Sequence, residues 1–321
     1  MTDTGPPRLR IGVSSCLLGE KVRYNGGHKR DAFVVDTLSA WCDWVPVCPE
    51  FEMGLGAPRE SLRLVGDPAS PRLLAPASDT DHTAAMKRFN AARLAELAKL
   101  DLHGFILKKD SPTCGLSRVR VWHESGGGNE RKGTGLWARD LTAKMPLLPV
   151  EEEGRLNDLV LRENFIERVF AYYRWTRMRA SRPRPRDLVR FHTGFKLTLL
   201  SHSPKHYREL GRLVAEAGSR PLKPLLDTYG ERFMKALTLR ATWAKHTNVL
   251  QHLQGFLKHH IDAGDRAELA RRIAEYRQGL VPLVVPLTLL QHHFRRHPEA
   301  WVEDQVYLNP YPSELMLRNH V

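Results

Sequence analysis

The stretch RIGVSSCLLG at residues 10–19 joins a short apolar run, typical of a buried β-strand, to a cysteine and a turn. Two further runs have the same character, WVPV at residues 44–47 and GFIL at residues 104–107. Residues 145–150 are a candidate for a fourth strand. Short apolar runs bounded by turn residues predict strands that are buried on both faces.

Helical patterns separate these runs. Phe33, Val34, Leu38 and Trp41 recur at helical spacing, and residues 83–100 carry apolar side chains near one helix face. Asp81 and Thr83 are candidate caps for the second of these helices. Strands that alternate with helices predict an α/β domain with a mainly parallel, Rossmann-like sheet.

Three cysteines follow the predicted strands. Cys16 follows the first strand, Cys48 the second, and Cys114 lies just after the GFIL strand. Because the carboxyl ends of parallel strands form one ligand-binding edge, we expect these side chains to converge there. Cys42 lies near the end of a predicted helix, beside two tryptophans, and is interpreted as a buried apolar side chain.

The spacing of the three cysteines limits what they bind. Structural zinc sites use four ligands, usually in short C-x-x-C pairs, and the sequence has no such pair. A cubane iron–sulfur cluster takes four cysteines, so three protein ligands would leave one iron open to substrate or water. The alternative for each cysteine is a buried, chemically inert thiol.

Polar residues close to these cysteines are candidates for the chemistry. Glu50 lies two residues after Cys48 and could act as a general base on water, or only cap a helix. Ser111, in SPTCG, could hydrogen-bond in the pocket or simply form a turn. Asn25 and Gly26 belong to a turn whose amides could cradle a ligand, and Lys108 could balance cluster or substrate charge.

The second half of the chain has a mostly helical composition. Five segments predict a bundle of about five or six helices, at residues 195–200, 206–218, 222–239, 244–260 and 265–280. Before them, the basic stretch RWTRMRASRPRPRD at residues 174–187 contains two prolines and is predicted to be a linker. An RNA-binding arm is the alternative for this stretch.

Charge and hydropathy exclude several classes of protein. The net charge of +13 is divided as +4 in residues 1–150 and +9 in residues 151–321, which favours contact with anions, including nucleic acid. The longest apolar stretch, residues 280–290, is too short for a bilayer and contains two prolines. The opening MTDTGPPRLR has no signal-peptide pattern, so we expect a soluble, cytoplasmic protein with no membrane partner.

At this point the motifs identify a resemblance. SSCLLGEKVRYNGG, VCPEFEMGLGAPRE, LKKDSPTCG and GTGLWA together resemble the thiouracil desulfidase (TudS) family, over about the first 150 residues. HSPKHYRELGRLVAEA, KHTNVLQHLQGFLKHH, LVPLVVPLTLLQHH and QVYLNPYPSELMLRNH are similar to a YbgA-like domain of unknown function. Two departures are Thr113, where serine is commoner in the family, and Leu136-Trp137 after GTG.

The resemblance implies a 4Fe–4S cluster held by three cysteines, whose fourth iron is free to take sulfur from the substrate. Carried over by motif, the cluster ligands are Cys16, Cys48 and Cys114, with Glu50 as the catalytic carboxylate and Ser111 as its partner. The domains expected are an iron–sulfur desulfidase-like domain at 1–155, a helix and basic linker at 156–190, and an all-α, YbgA-like domain at 191–321.

The function expected from this resemblance is the non-redox removal of sulfur from a thiolated pyrimidine such as 2-thiouracil, giving uracil and hydrogen sulfide. Asn25, Gly26 and Lys108 are the residues expected to bind the substrate. One alternative is the same reaction on thiolated nucleosides in tRNA, with the basic helical half binding the RNA backbone. A second is a non-catalytic iron–sulfur carrier, and a third is a helical module that only recruits partners.

Overall fold

The computed structural model describes residues 8–321 and divides the chain into two compact units, one ending at Asn157 and one comprising Asp158–Val321. Residues 1–7 lie outside the described residues. They are the first residues of the predicted domain 1–155 and of the segment MTDTGPPRLR, in which no signal-peptide pattern was found. The first unit combines two sheets with helices, and the second is built from helices. The predicted fold class, an α/β half followed by an all-α half, is therefore confirmed.

Nine strands are assigned within residues 8–157: β1 (Leu9–Ser14), β2 (Cys42–Val47), β3 (Arg63–Val65), β4 (Arg72–Ala75), β5 (Thr80–Asp81), β6 (Gly104–Leu107), β7 (Val119–Trp122), β8 (Asn129–Gly133) and β9 (Val150–Glu152). Four of them form a parallel sheet in the order β2-β1-β6-β9. Gly12 on β1 faces Phe105 on β6, and a Cβ there would lie 2.2 Å from the phenyl ring, so this position needs a glycine.

The helices of the first unit are α1 (Thr83–Leu97) and α2 (Leu136–Lys144). The backbone amide of Thr83 bonds to the Asp81 carboxylate at 2.8 Å, as expected of a residue near a helix start. The predicted helix around Phe33 is instead a π-helical turn, Phe33–Thr37, followed by a 3-10 turn, Leu38–Ala40.

A second sheet, in the order β5-β4-β3-β7-β8, was not predicted from the sequence. Its strands have two to five residues, and β8 reads NERKG, so neither length nor alternation marks them. The sheet shares a core with the helices of the first unit, formed by Leu62, Leu64, Leu73, Ala75, Met86, Val119, Val121 and Leu136.

The fourth strand of the parallel sheet lies later than predicted. Residues 145–149 form a turn that contains Pro146 and Pro149, and the strand β9 begins only at Val150. Proline cannot donate a ladder hydrogen bond, whereas the carbonyl of Pro149 accepts one from Phe105 at 2.8 Å. The predicted strand at 145–150 is therefore wrong except for its last residue.

Nine helices are assigned within Asp158–Val321: α3 (Leu159–Ala180), α4 (Pro185–Gly194), α5 (Lys196–His202), α6 (Pro204–Ala215), α7 (Leu222–Leu237), α8 (Trp243–Phe256), α9 (Ala263–Arg277), α10 (Val284–Arg296) and α11 (Ala300–Glu303). Side chains of Asp158, Ser203, Thr242 and Asp262 cap α3, α6, α8 and α9 by accepting backbone N–H groups. Among residues 8–321, no helix has the length and apolar character needed to cross a bilayer.

The stretch predicted to be a linker, residues 174–187, is mostly helical. Its first part completes α3, which ends at Ala180, and α4 begins at Pro185. Proline is well tolerated at the first position of a helix, so Pro185 begins α4, although it was expected to break a helix. Arginine is also a good helix former, which the interpretation as a solvated linker neglected.

Candidate active site

Three cysteines lie at one edge of the parallel sheet. Cys16 sits in a short 3-10 helix directly after β1, Cys48 directly follows β2, and Cys114 lies in the turn after β6. All three line one cavity of about 450 Å³ in the first unit. The structure thus brings together the side chains that the strand pattern predicts to converge.

The three thiols are close enough to influence one another's ionisation. The pKa of Cys16 is raised to about 12, mainly by burial and in part by the neighbouring Cys48. Burial also raises the pKa of Cys114; a hydrogen bond with Ser14 lowers it, and Cys48 and Cys16 raise it. The free thiols are therefore protonated at neutral pH, and binding of a metal centre would release their protons.

The donor set of this cavity fits an iron–sulfur cluster. Cys16, Cys48 and Cys114 offer three soft thiol groups from three separate loops. A cluster takes each thiolate on a different iron, so the sulfurs need not converge on one point. Within residues 8–321, no group of three or more His, Cys, Asp or Glu side chains is arranged to hold a single metal ion.

Glu50 is anchored on the cavity wall by Arg59. The guanidinium donates to Oε2 of Glu50 from Nε at 3.0 Å and from Nη2 at 2.6 Å. Both side chains are buried, with 7% of Arg59 and 11% of Glu50 exposed. Nη1 of Arg59 also donates to the carbonyls of Val22 and Gly56. One arginine therefore fixes the carboxylate and ties it to the loop that follows Cys16.

Ser111 reaches Glu50 through Thr113. Oγ1 of Thr113 donates to Oε1 of Glu50 at 2.8 Å and lies 3.0 Å from Oγ of Ser111. Oγ of Ser111 also accepts the backbone N–H groups of Thr113, at 3.2 Å, and of Cys114, at 3.0 Å. Ser111 therefore shapes the loop that carries the third cysteine, and Thr113 stands between it and the carboxylate.

Lys108 lies on the cavity wall and is paired. Its Nζ contacts Oε1 of Glu153 and donates to the carbonyl of Lys109 at 2.9 Å. The other oxygen of Glu153 accepts the backbone N–H of Lys109 at 2.7 Å. The backbone N–H of Lys108 donates to Oγ of Ser14 at 2.9 Å. Ser14 also forms a hydrogen bond with the Cys114 thiol. The charge of Lys108 is therefore balanced within the protein.

The turn after Cys16 meets the cavity through Arg23 and Tyr24. Asn25 and Gly26 form the bend itself, in which the N–H of Gly26 donates to the carbonyl of Arg23 at 2.9 Å. Gly26 has a φ of +71°, a backbone conformation that residues other than glycine rarely adopt. The predicted substrate-binding pair thus shapes the turn, and its two preceding neighbours line the cavity.

The GTGLWA motif supports the loop of the third cysteine. The N–H of Gly135 donates to the carbonyl of Gly115 at 2.7 Å, and the N–H of Ala138 in α2 donates to that of Thr113 at 3.2 Å. A Cβ on Gly135 would lie 2.2 Å from the Thr113 carbonyl oxygen. The first turn of α2 is thus packed directly against the backbone around Cys114.

Sequence reasoning did not single out three residues that contact the predicted site residues Glu50 and Lys108. Arg59 lies in the quoted motif VCPEFEMGLGAPRE, Thr113 was noted only as a departure from the family, and Glu153 lies just past the parallel sheet. A signal existed for Arg59, since a buried carboxylate needs a cationic or hydrogen-bonding partner. Cys42, by contrast, begins β2 away from the cavity-lining residues, and burial raises its pKa to about 12.

Comparisons with known proteins match each half of the chain. Residues 11–153 match the family model described as 2-thiouracil desulfurase, and residues 196–312 match one described as a protein of unknown function (DUF1722). The uncharacterized protein YbgA of Escherichia coli (strain K12) is 35% identical over 153 residues, which are 47% of this chain and 90% of the relative.

Two further similarities were found. The uncharacterized protein YbbK of Bacillus subtilis (strain 168) is 32% identical over 158 residues, covering 47% of this chain and 99% of that protein. A solved structure of the 4Fe–4S-dependent thiouracil desulfidase TudS has 28% sequence identity and a TM-score of 0.38, covering 48% of this chain and 97% of that one.

Proposed function

Because the chain belongs to the 2-thiouracil desulfurase family over residues 11–153 and to the DUF1722 family over residues 196–312, we propose that it removes sulfur from a thiolated pyrimidine. For 2-thiouracil the products are uracil and hydrogen sulfide. The observation that carries the proposal is the cavity in which three thiols meet an anchored carboxylate. The domains proposed are 1–155 for this reaction, 156–190 as a connecting segment and 191–321 as the YbgA-like domain.

The cofactor that we propose is a 4Fe–4S cluster with Cys16, Cys48 and Cys114 as its three protein ligands. Their thiols line one cavity. The fourth cysteine of the chain, Cys42, is not among the residues that line it. When bound, the cluster would supply an iron with an open coordination position, a Lewis acid for the sulfur of the substrate.

The side chains of the cavity have roles that follow from their contacts. Glu50 accepts a proton from water as the water oxygen attacks the carbon that carries sulfur. A carbon–oxygen bond forms and the carbon–sulfur bond breaks, so the reaction consumes one water and needs no oxidant or reductant. Ser111 orients the loop of the third ligand, and the turn with Asn25 and Gly26 brings Arg23 and Tyr24 to the substrate.

Anaerobic reconstitution tests this proposal. The protein is incubated with iron and sulfide, desalted, and mixed with 2-thiouracil while its ultraviolet absorbance and the release of hydrogen sulfide are followed. We expect turnover by the reconstituted protein, and a Glu50→Gln variant that keeps the cluster absorption but loses at least about 100-fold in kcat. A cluster without turnover of any thiolated pyrimidine would support the carrier alternative.

A second candidate, the same reaction on thiolated uridine in tRNA, rests on the arginines of the second unit. Residues 174–190, which comprise the end of α3, the residues between the helices and the first part of α4, contain seven arginines and one aspartate. Five of the seven are exposed: Arg177, Arg182, Arg184, Arg186 and Arg190. Exposed arginines bind a phosphate backbone through release of counterions.

Salt dependence separates the two substrates. If tRNA is the substrate, its apparent affinity falls steeply between about 50 and 200 mM salt, and replacing Arg182, Arg184 and Arg190 with glutamine makes the dependence shallower. Turnover of free 2-thiouracil should change little over the same range. An exposed arginine elsewhere in the second unit, Arg277→Gln, serves as the matched control.

A further inference from the structure

We propose that Thr113 is a positioning residue for the desulfidase reaction: its hydroxyl holds the Glu50 carboxylate in one orientation, opposite Arg59. The inference rests on the proposed function and names a residue that acts through Glu50. Thr113 is 1% exposed, and its Oγ1 donates to Oε1 of Glu50 at 2.8 Å.

The hydrogen bonds around Arg59 determine which oxygen of Glu50 stays available. Oε2 receives two N–H groups, from Nε and Nη2 of Arg59. A carboxylate oxygen has two lone pairs, so both lone pairs of Oε2 accept hydrogen bonds from Arg59. Among the described residues, Oε1 receives one hydrogen bond, from Thr113. One lone pair of Oε1 is therefore left, and the direction in which it points is set by the threonine hydroxyl.

The direction of the Thr113 hydroxyl is itself determined by its neighbours. Oγ of Ser111 accepts two backbone N–H groups, so both its lone pairs are used and its own hydrogen points to Oγ1 of Thr113. Oγ1 of Thr113 lies 2.8 Å from Oε1 of Glu50 and 3.7 Å from Sγ of Cys114, and the carboxylate is the nearer and stronger acceptor, so the Thr113 hydrogen points to Glu50. The order of donation is Ser111 to Thr113 to Glu50, and it ends on the oxygen that Arg59 does not occupy.

The backbone and the methyl group of Thr113 restrict its motion. Its carbonyl accepts the N–H of Ala138 at 3.2 Å, so α2 pins the residue from the other side. A β-branched side chain is stiff at χ1, whereas serine at this position would have more rotamers. Threonine therefore offers Glu50 a hydroxyl with little freedom to turn away.

A matched pair of substitutions tests the role. Thr113→Val keeps the shape and removes the hydroxyl, and Thr113→Ser keeps the hydroxyl and removes the methyl group. We expect Thr113→Val to lower kcat about 10- to 100-fold with KM changed less than about twofold and iron content retained. Thr113→Ser should remain within about fivefold of the wild-type kcat. If the two variants lose activity equally, the hydroxyl is not what matters and the proposal is wrong.

A double-mutant cycle with Glu50 distinguishes positioning from general support of the fold. If Thr113 acts through Glu50, then adding Thr113→Val to Glu50→Gln lowers kcat less than about twofold further, because the group it positions is already gone. A loss that multiplies with that of Glu50→Gln would overturn the proposal. Thr113→Ala replaces Thr113→Val in the cycle if the valine variant does not fold.

An infrared measurement tests the contact without turnover. The carboxylate stretching band of Glu50 is assigned in the cluster-loaded protein as the band that disappears in Glu50→Gln. It should shift in Thr113→Val and stay close to its wild-type position in Thr113→Ser. An unchanged band in Thr113→Val refutes the positioning role even if the enzyme is active. A shifted band in a protein that turns over no thiolated pyrimidine refutes the proposed function and leaves the contact standing.

Discussion

Nε2 of His202 lies 2.7 Å from Oε2 of Glu167, and 1% and 6% of these side chains are exposed. Nδ1 of the same ring lies 2.5 Å from the carbonyl of Leu239, which can only accept, so Nδ1 carries a hydrogen. The pKa of His202 is raised by Glu167 against the effect of burial. The second unit therefore contains a buried ion pair that joins α3 to the end of α5.

A second buried carboxyl, Glu163, lies one turn earlier on α3. Its pKa is raised to about 7, mainly by burial and also by Glu167, while Arg318 and the hydroxyl of Tyr311 oppose the shift. Because the folded-state pKa of Glu163 is above its unfolded value, its contribution to stability is full below about pH 4.5 and is lost as pH rises through about 7. His202, with a raised pKa, loses its contribution in the same direction, above 6.5.

We therefore expect the second unit to lose stability between pH 5 and pH 8, on the order of 2 kcal/mol. Hydrogen exchange of the full-length protein measures this as faster exchange in α3 at the higher pH, after correction for intrinsic rates. Glu163→Gln should make the dependence shallower and leave the part that is due to His202, and the exposed Glu231→Gln should leave it unchanged. A dependence in Glu163→Gln as steep as in wild type would show that Glu163 does not contribute to it.

The pKa of Glu167 is lowered, through its contact with His202, although burial opposes this shift. Its stabilising contribution is therefore present above about pH 4.5 and lost at lower pH. The combined prediction is a maximum of stability in mildly acidic solution.

Replacing any one of Cys16, Cys48 and Cys114 with alanine should abolish the visible cluster absorption and reduce bound iron to less than about one tenth of wild type. Cys42→Ala is the matched control, since this thiol is buried, like those of Cys16 and Cys114, and lies outside the cavity lining. Iron analysis after anaerobic reconstitution decides the matter. Loss of the cluster in Cys42→Ala, or its retention in one of the other three, would contradict the ligand assignment.

Gly135→Ala should disrupt the support of the third cysteine. The new Cβ would lie 2.2 Å from the carbonyl oxygen of Thr113 and 2.9 Å from the amide nitrogen of Gly115, both of them backbone atoms that cannot turn away. We expect a thermal midpoint lower by several degrees and a large loss of cluster after reconstitution. Gly218→Ala, where nothing lies within 4 Å of the new methyl group, should show neither effect.

Arg59→Met should leave Glu50 buried without its cationic partner. Breaking a buried pair from one side typically costs about 3–5 kcal/mol, and both side chains are nearly inaccessible here. Urea unfolding under anaerobic conditions measures the loss. The double variant Arg59→Met/Glu50→Gln should be more stable than Arg59→Met alone, because it removes the unpaired charge. Equal stability of the two would mean that the charge is solvated.

The parallel sheet and the meeting of Cys16, Cys48 and Cys114 could be predicted because both follow from short-range patterns. Buried parallel strands are continuous apolar runs, and their carboxyl ends share an edge whatever the distance along the chain. The residues themselves made the cysteines candidate cluster ligands and Glu50 and Ser111 candidate site residues; the family resemblance made these roles specific, and they stay predictions.

The parts of the fold and of the site that were not predicted depend on contacts that leave no local pattern in the sequence. Arg59 reaches Glu50 from a loop with no periodicity, and β3 to β5 are too short for a period to be detected. Proline was taken as a helix breaker near residues 183–185, although Pro185 starts α4, because a single dipeptide does not tell a first turn from a loop. Thr113 was noted only as a departure from the family, since its bond to Glu50 exists only after folding.

The position of β9 also affects the order in which this protein can be made. Glu152 on β9 accepts the N–H of Leu116 at 2.8 Å, and Glu153 just beyond it holds Lys108 and Lys109, so the loop of the third cysteine is fastened by residues made well after it. A nascent chain that ends at Cys114 contains the three thiols but lacks the two glutamates that fasten the loop of the third one. The pocket proposed to hold the cluster can therefore form only after residue 153 has been made and has left the ribosome, while part of the helical unit, Asp158–Val321, is still to be made.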